Sequence, residues 1–207
     1  MDETASLAEG IPATEQSAAP GASPLRPGSY RDIDLVHARL MEAIDTSPFY
    51  IPEFKAYEKS RLTKDHLAAL IEADPRHLFI AMRNSQPAGF MISGPELGTL
   101  WLYWSYLFPE HRRSSLGVAA MRAFVAQWEN GRFHKISTYT KPGNEVAEAI
   151  MKRFGFKRTA VLENHMFGED YLLYERPLTK ALAGYDLGIR GGVVGRLRRR
   201  IKRLVAR

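Results

Sequence analysis

The chain has 207 residues, of which 45% are hydrophobic and 25% are charged, and its formal net charge is +6. This length and composition predict one soluble globular domain with tails. The absence of cysteine excludes disulfides, thiolate metal sites and cysteine nucleophiles and fits a cytoplasmic protein. No apolar run approaches the roughly 20 residues needed to cross a bilayer, which excludes an integral membrane protein.

The positive charge is concentrated at the C-terminal end. Residues 180–207 contain nine Lys or Arg residues and one Asp, a net charge of +8. The other 179 residues contain 20 basic and 22 acidic side chains, a net charge of −2. Any argument about nucleic acid or acidic lipid therefore concerns this tail and not the domain.

Residues 1–29 are rich in Ala, Ser, Pro, Glu and Gly and lack the apolar segment of a secretory signal. Such a composition predicts a disordered leader. We therefore expect three parts, namely a leader (1–29), a folded domain (30–179) and a basic tail (180–207).

The domain is predicted to begin with two helices and a hairpin. Apolar residues at helical spacing predict a helix over residues 32–45, and a Pro- and aromatic-rich loop follows over 49–57. Thr63 is expected to cap the second helix. Residues 77–82 and 88–93 are predicted to form a β-hairpin.

The second half of the domain is predicted to alternate strands with helices. Residues 100–108 are apolar or aromatic at nearly every position, which is typical of a central strand covered on both faces. The remaining predicted elements are helices over 115–130 and 144–154 and strands over 134–140, 156–162 and 171–175.

A short motif, PEHRRSSLG, occupies the loop between the central strand and the next helix, at residues 109–117. A strand that runs into a helix through small residues presents backbone N–H groups to an anion. Arg112 and Arg113 add positive charge, so the loop predicts a binding site for a phosphorylated ligand. Alternatively, Ser114 and Ser115 merely cap a surface helix and the two arginines are solvated.

Together with NEVAEAIMKRFGF at residues 144–156, this arrangement resembles the GNAT superfamily of N-acetyltransferases. The family's loop reads roughly P-E-x-R-x-x-G-x-G, and its amides hold the pyrophosphate of acetyl-CoA. Ser115 stands where the first glycine of that motif usually is. The matching residues are Pro109, Glu110, Arg112 and Gly117, with Leu116 at the aliphatic position.

The second family motif reads roughly N-x-x-A-x-x-L-Y-x-x-x-G-F. It is matched by Asn144, Ala147, Gly155 and Phe156, whereas Met151 occupies the tyrosine position. The resemblance covers residues 77–177 and implies an α/β (α+β) fold with a mixed, mostly antiparallel central sheet and helices on both faces.

The resemblance also implies which residues bind the acyl donor, acetyl-CoA. The end of the central strand should splay from its neighbour, which would leave backbone N–H groups near Leu107 and Phe108 free for the acyl oxygen and the pantetheine amide. The implied cofactor-binding residues are Leu107, Phe108, Arg112, Arg113, Ser114, Ser115, Leu116, Gly117 and Asn144. Asn144 alternatively caps its own helix.

For catalysis, the Leu107 N–H is the expected donor to the oxyanion. Methionine cannot protonate the departing thiolate as the family's tyrosine does, so Tyr139 or Tyr174 is a candidate replacement, the alternative being that both pack in the core. Ser105 is a candidate to orient a water molecule, or is simply a small residue packed in the sheet. No general base is evident.

Two further expectations concern the acceptor side and metals. The aromatic loop over 49–57 lines an acceptor pocket or else forms a hydrophobic plug over the sheet. The six histidines show no metal-ligand spacing, so we expect no metal.

The tail pattern VVGRLRRRIKRLVAR predicts an amphipathic cationic helix. It suits an anionic membrane or an acidic protein such as an acyl carrier protein, which would make the protein cytoplasmic and peripheral at the membrane. A solvated tail, or a helix packed on a partner subunit, is the alternative. The lack of aromatic residues does not favour nucleic acid.

The combined interpretation is an acyl-CoA-dependent N-acyltransferase that transfers an acetyl group from acetyl-CoA to a primary amine by direct attack in a ternary complex. The competing interpretation is a non-catalytic GNAT-like module that binds CoA or a protein partner. The sequence does not identify the acceptor, the acyl chain length or the oligomeric state.

Overall fold

A computed structural model describes residues 23–112, 114–188 and 205. Its centre is a seven-stranded sheet with the strand order β1-β2-β3-β4-β5-β7-β6. The strands are β1 (Leu25–Pro27), β2 (Leu78–Arg83), β3 (Gln86–Glu96), β4 (Thr99–Leu107), β5 (Lys135–Thr140), β6 (Lys157–Met166) and β7 (Glu169–Pro177). All neighbouring pairs are antiparallel except β4 and β5, which are parallel. The predicted fold class is confirmed.

Five α-helices cover the two faces of the sheet. They are α1 (Ile33–Thr46), α2 (Pro52–Arg61), α3 (Lys64–Ala73), α4 (Leu116–Trp128) and α5 (Glu145–Arg153). The first core lies between the sheet and α1 and α3, and the second lies between the sheet and α4 and α5. Within the described ranges, no helix is both long enough and apolar enough to cross a membrane.

Helix α2 corrects the prediction of a loop over residues 49–57. Pro52 stands at the first turn of this helix, where its missing N–H is harmless and its fixed φ favours the helical conformation. Phe54 and Glu58 face inward and are buried. The proline and the aromatic residues thus mark a helix start rather than an irregular segment.

Strand β1 corrects the boundary of the predicted leader. Leu25 is buried, and Arg26 pairs with Ile80 of β2 in the sheet. The Arg26 guanidinium also donates two hydrogen bonds to the Asp32 carboxylate, at 2.9 and 2.6 Å. Residues 23–29 therefore belong to the folded domain, whereas residues 1–22 lie outside the described part.

The first residues of the predicted tail also belong to the folded domain. Gly188 forms an isolated antiparallel bridge with Glu96, and the Gly98 N–H donates to the Asp186 carbonyl at 2.7 Å. The Arg132 guanidinium joins Asp186 (2.8 Å) to the buried Asp74 (2.7 Å). The predicted amphipathic helix beyond residue 188 lies outside the described residues, apart from residue 205.

Candidate active site

A β-bulge in β4 reverses the direction of its side chains. The register with β3 pairs Trp104 with Ile92 and Leu102 with Ser93, so Tyr103 is the extra residue. Leu102 therefore packs in the core against α4 and α5, whereas Trp104 packs against the core of α1 and α3. A single bulge thus places large aromatic side chains on one face of the sheet.

Strands β4 and β5 separate soon after they meet. Their pairing covers only Leu100 with Ile136 and Trp101 with Ser137, although β4 continues to Leu107. The Thr138 hydroxyl donates to the Leu102 carbonyl at 2.8 Å and closes the narrow end of the gap. The predicted splay of the central strand is confirmed, and we call the gap beyond Leu102 the wedge.

The hydrogen-bond pattern decides which N–H groups of β4 face the wedge. The Phe108 N–H donates to the Ala88 carbonyl at 2.9 Å, on the β3 side. Because hydrogen-bonded and non-bonded pairs alternate in an antiparallel ladder, the N–H groups of Ser105 and Leu107 point away from β3 and into the wedge. The expectation of a free N–H is therefore wrong for Phe108, whereas Leu107 has the required direction.

The loop after β4 is tied to the domain on both sides. Glu110 forms an ion pair with Arg39 of α1 at 2.8 Å. The exposed Arg112 stacks over the Tyr106 ring, 5.2 Å from its centroid, and donates to the Tyr106 hydroxyl at 3.1 Å. The Arg112 N–H donates weakly to the Pro109 carbonyl at 3.3 Å, so it is not an open donor. Arg113 lies outside the described residues.

Ser115 fits the helix start without strain. It is the N-cap of α4 with φ −67° and ψ −8°, a right-handed conformation that needs no glycine. Ser114 accepts a long hydrogen bond from the Leu116 N–H at 3.4 Å and donates to the His111 carbonyl at 2.8 Å. The N–H groups of the first turn, Leu116 to Val118, have no partner four residues earlier within the helix.

Gly117 leaves open space at the start of α4. A Cβ atom built on this glycine would have only the Leu107 Cδ1 within 4 Å, at an ordinary 3.4 Å. Glycine inside a helix costs about 1 kcal/mol relative to alanine, and packing within the described chain does not require it here. The open space lies beside first-turn N–H groups and next to the wide end of the wedge, so it suits close approach of an anionic ligand.

Asn144 lies at the start of helix α5, and Tyr174 of β7 contacts the same helix. The Asn144 Oδ1 accepts a hydrogen bond from the Ala147 N–H at 3.2 Å, so Asn144 caps its helix. Its role toward a cofactor stays a prediction. Tyr174 is fully buried and donates to the Glu148 carboxylate at 2.8 Å, so it belongs to the core, as does Met151.

A cavity of about 510 Å³ opens at the narrow end of the wedge. It is bounded by α2 and the segment before it, by β3, β4 and β5, and by the β6–β7 hairpin. Nine of its lining residues are aromatic, and they are Tyr50, Phe54, Tyr57, Trp101, Tyr103, Trp104, Tyr139, Phe167 and Tyr171. The segment over residues 49–57 thus contributes to the wall of a cavity. That this cavity takes the acceptor stays a prediction.

Glu58 anchors one wall of this cavity and was missed from the sequence. Its side chain is 5% exposed and accepts hydrogen bonds from the Arg61 guanidinium at 2.8, 2.9 and 3.1 Å. The Trp104 indole N–H also donates to it, at 2.7 Å. The Arg61 guanidinium in turn lies 4.9 Å from the Tyr103 ring centroid. A carboxylate so fully engaged holds the wall in place.

Tyr139 and Ser105 flank the wedge from opposite strands. The Tyr139 ring lies 4.8 Å from that of Trp101 and 5.4 Å from that of His165. Burial, with the charge of Glu96 second, raises the pKa of Tyr139, so its hydroxyl keeps its proton. Ser105 is exposed on β4 and not packed in the sheet.

The phenols deeper in the cavity are also held neutral. Burial, followed by the charge of Glu58, raises the pKa of Tyr50 to about 12. Burial, followed by the charge of Glu96, raises the pKa of Tyr103 to about 12. The cavity wall therefore offers neutral hydroxyl groups between aromatic faces.

Metal-binding groups do not occur in the described part of the chain, where no three His, Asp or Glu side chains converge. The absence of a metal stays a prediction.

Comparisons with known proteins agree with this geometry. A family model described as the acetyltransferase (GNAT) family matches residues 39–156. No curated protein matches the chain by sequence.

Among solved structures, YncA from Salmonella typhimurium with its cofactor acetyl-CoA has a TM-score of 0.63 at 16% identity, over 77% of this chain and 96% of that one. A ribosomal-protein-alanine N-acetyltransferase from Brucella melitensis has a TM-score of 0.61 at 17% identity, over 74% and 99%. PaiA N-acetyltransferase from Thermoplasma acidophilum in complex with coenzyme A has a TM-score of 0.58 at 19% identity, over 74% and 97%. Identities this low show a shared fold.

Proposed function

Because the chain belongs to the acetyltransferase (GNAT) family, we propose that it is an N-acyltransferase that moves an acetyl group from acetyl-CoA to a primary amine by direct attack in a ternary complex. The observation that carries this proposal is the position of the wedge. Its wide end, at Leu107, adjoins the N-terminus of α4, and its narrow end, at Trp101 and Tyr139, adjoins the aromatic cavity. Donor and acceptor can thus meet from opposite ends of the wedge.

The start of α4 has the features that a diphosphate needs. First-turn N–H groups and the helix dipole favour an anion, and the open space at Gly117 permits its close approach. Ser114, Ser115, Leu116 and Gly117 would hold the diphosphate through the backbone, and Arg112 and Arg113 would add charge. Asn144 would add an amide from α5.

The wedge suits the acyl end of the donor. The Leu107 and Ser105 N–H groups point into it, and the strand ladder does not use them. A donor of this kind aimed at a developing oxyanion contributes typically about 10² to 10³ in rate. Ser105, whose side chain is exposed, would orient a bridging water.

An attacking amine must be neutral. An aliphatic ammonium with a pKa near 10.4 gives up its proton more readily when aromatic walls remove its water. Glu58 does not accept that proton, since Arg61 and Trp104 already engage both of its oxygens. We assign this role to His165, whose imidazole lines the cavity beside Tyr139.

The departing thiolate takes its proton from Tyr139. The raised pKa of this tyrosine keeps the proton available, and Met151, at the family's tyrosine position, is buried in the core. A thiol pKa near 8.5 means that the thiolate also leaves tolerably without help.

The test is release of free CoA thiol from acetyl-CoA with a panel of primary amines, with the N-acetyl product identified by mass spectrometry. Isothermal titration of acetyl-CoA accompanies it, with Arg112→Glu as the charge reversal and Arg122→Glu, on the exposed face of α4, as the matched control. We expect weaker acetyl-CoA binding by the first variant only. Absence of acetyl-CoA binding by the unaltered protein would contradict the proposal.

A second candidate function is a non-catalytic module that binds CoA or a protein partner. It is favoured by Met151 at the tyrosine position and by the engaged carboxylate of Glu58. It predicts acetyl-CoA binding without thiol release for any amine. The two candidates are therefore separated by the same assay.

We also propose that the basic tail docks on an anionic membrane or an acidic protein. Its cations near an anionic surface contribute on the order of 1 kcal/mol each. Because the packed domain extends to Gly188, co-sedimentation with anionic liposomes should compare the full chain with one shortened to end at Gly188. Equal sedimentation of both chains would contradict membrane docking.

A further inference from the structure

One end of the sheet, which we call the base, carries several exposed apolar side chains. The base is the end at which β3 and β7 finish and β4, β5 and β6 begin, because β4 and β5 are parallel and β7 is antiparallel to both β5 and β6. Leu107 and the start of α4 lie at the opposite end. Four large apolar side chains of the base are exposed, and they are Leu97, Leu182, Tyr185 and Leu187.

The exposed apolar residues of the base come from two segments that pack together. Leu97 stands in the turn between β3 and β4, and the other three stand in the segment that follows β7. The Gly98 N–H donates to the Asp186 carbonyl at 2.7 Å, and a Cβ atom on Gly98 would lie 2.7 Å from the Tyr185 ring. The residues on either side of Asp186, Tyr185 and Leu187, are therefore neighbours of the turn that carries Leu97.

The presence of leucine at position 97 is not explained by packing or by turn preference. Leu97 is 83% exposed and has φ +50°, a left-handed conformation that is unfavourable for leucine. It forms a two-residue turn with Gly98, between the paired residues Glu96 and Thr99, and such turns ordinarily contain Asn-Gly. A leucine that gains no packing in the described chain and strains its turn indicates contact with something outside it.

Unpaired cations lie at the same end of the molecule. The last turn of α5 and the first residues of β6 supply four exposed basic side chains, namely Lys152, Arg153, Lys157 and Arg158. A fifth, Lys180, lies 4.8 Å from the Tyr185 ring centroid. Within the described ranges these five form no ion pair, and neither does the nearby Glu96. The unpaired cations outnumber this carboxylate, so the base attracts anions although the domain as a whole does not.

An anionic lipid surface matches both properties of the base. Leucine and tyrosine side chains enter the boundary between headgroups and acyl chains, where tyrosine is enriched, and lysine and arginine contact the anionic headgroups. Nucleic acid would match the charge but not the exposed leucines. The eight Lys or Arg residues beyond Gly188 also leave the domain at this end, because Gly188 bridges the end of β3. A flat surface can thus contact the base and the tail together.

We propose that the base is a membrane-docking face of the folded domain, with its four exposed apolar side chains in the lipid interface and its unpaired cations on anionic headgroups. This orientation turns the start of α4, at the opposite end, toward the solvent, where CoA has free access. The inference concerns a surface other than the candidate active site. It depends neither on acyl transfer nor on docking of the tail.

The first test compares the partition of full-length proteins onto phosphatidylglycerol vesicles by co-sedimentation. Leu97→Asn removes an apolar side chain and introduces the residue that such a turn prefers, so the variant keeps its fold. The control Val146→Asn alters a similarly exposed apolar residue at the start of α5, at the opposite end. We expect about tenfold weaker partition for Leu97→Asn and no change for Val146→Asn.

The cations of the base are tested in the same assay. Lys157→Gln should weaken partition about fivefold, which corresponds to about 1 kcal/mol for one cation near an anionic surface. The control Arg83→Gln removes an exposed cation at the end of β2, at the opposite end of the sheet, and should leave partition unchanged. Phosphatidylcholine vesicles, which lack net charge, should bind the unaltered protein much more weakly.

Insertion of Leu97 can be observed directly. Because the chain contains no cysteine, Leu97→Cys and Val146→Cys each provide a single site for a polarity-sensitive fluorophore. Phosphatidylglycerol vesicles should shift the emission of the label at position 97 to shorter wavelength and leave the label at position 146 unchanged.

The inference is overturned if the unaltered protein does not bind phosphatidylglycerol vesicles. It is also overturned if Leu97→Asn binds them as tightly as the unaltered protein and the label at position 97 stays in water. Failure of tail docking looks different, because the chain ending at Gly188 would then sediment as well as the full chain while Leu97→Asn weakened both. Failure of acyl transfer would leave all of these measurements unchanged.

Discussion

The two ends of the wedge, which we call the donor side and the acceptor side, are built in different ways. The donor side, from the wedge to the start of α4, consists of residues close together in sequence, roughly 105–118, and its recognition groups are mostly backbone N–H groups. The acceptor side draws on α2, the end of β3, β5 and the β6–β7 hairpin, and its recognition groups are side chains. Backbone recognition tolerates many sequences, whereas the acceptor side can change its specificity by changing side chains.

Removing one backbone donor should have the largest effect. In Leu107→Pro the N–H that points into the wedge is lost, while the ladder with β3 does not use it. We expect kcat/KM for thiol release to fall about 10²- to 10³-fold. The control, Leu107→Ala, keeps the N–H and removes the same packing. Equal activity of the proline and alanine variants would show that this N–H is not an oxyanion donor.

Tyr139 lies where the donor side and the acceptor side meet, and its replacement tests the protonation of the departing thiolate. Tyr139→Phe keeps the ring contact with Trp101 but removes the hydroxyl. As the proton donor to the thiolate, the hydroxyl should contribute about 10² in kcat, with little change in the affinity for acetyl-CoA. A matched substitution at Tyr57, an exposed tyrosine at the cavity mouth, should change the affinity for the acceptor and leave kcat nearly unaltered. An unchanged kcat in Tyr139→Phe would remove Tyr139 from the mechanism.

The free energy of unfolding should fall at acid pH because of a histidine buried in the core. His77 is fully buried and stacked on Trp128, and burial lowers its pKa from 6.5 to about 4. Between these values the unfolded chain binds a proton that the folded chain does not, so the free energy of unfolding falls as the pH drops from 6.5 to 4. The loss is on the order of 3 kcal/mol.

Urea unfolding at several pH values measures this dependence. His77→Phe retains the aromatic stack and should remove about half of the slope between pH 4 and 6.5, because burial also lowers the pKa of His66 to about 4 and His66 contributes in the same window. The control His165→Gln changes an exposed histidine and should retain the slope. An equally steep slope in His77→Phe would place the acid sensitivity elsewhere.

Gly117→Ala should separate stability from donor binding. Alanine raises helix stability by about 1 kcal/mol, because the new Cβ meets only one side-chain atom, at 3.4 Å. The same Cβ occupies space at the start of α4, and we expect the Kd for CoA to rise about tenfold. Ala126→Gly, at an exposed position later in α4, should do the reverse, with lower stability and unchanged affinity. Unchanged CoA affinity in Gly117→Ala would show that CoA does not bind at this turn.

The donor side is built from residues close together in sequence, and for this reason its elements could be predicted from the sequence. The loop over residues 109–117 and the cap at Asn144 are local features, so their elements were predicted within a few residues. The direction of the Phe108 N–H was not predictable, because it depends on the register with Ala88. The bulge at Tyr103 has no local signal for the same reason.

The acceptor side was largely hidden in the sequence. Glu58 belongs to a segment, KAYEKSR, that looks like a solvated surface, and its burial depends on contact with Trp104, 46 residues away. Glu96 stands in a turn-like PEL sequence and becomes notable only because β3 ends at the cavity. The aromatic residues over 49–57 raised a pocket as one of two alternatives, and Pro52 carried a signal for a helix start, since proline is common at the first turn of a helix.

The most direct test of the central claim is a crystal structure of the protein with CoA bound. We predict diphosphate oxygens within about 2.7–3.2 Å of the backbone N–H groups at the start of α4, with the pantetheine in the wedge beside Leu107. A diphosphate held instead in the groove between α4 and α5, at Arg122, Arg153 and Arg176, would contradict it.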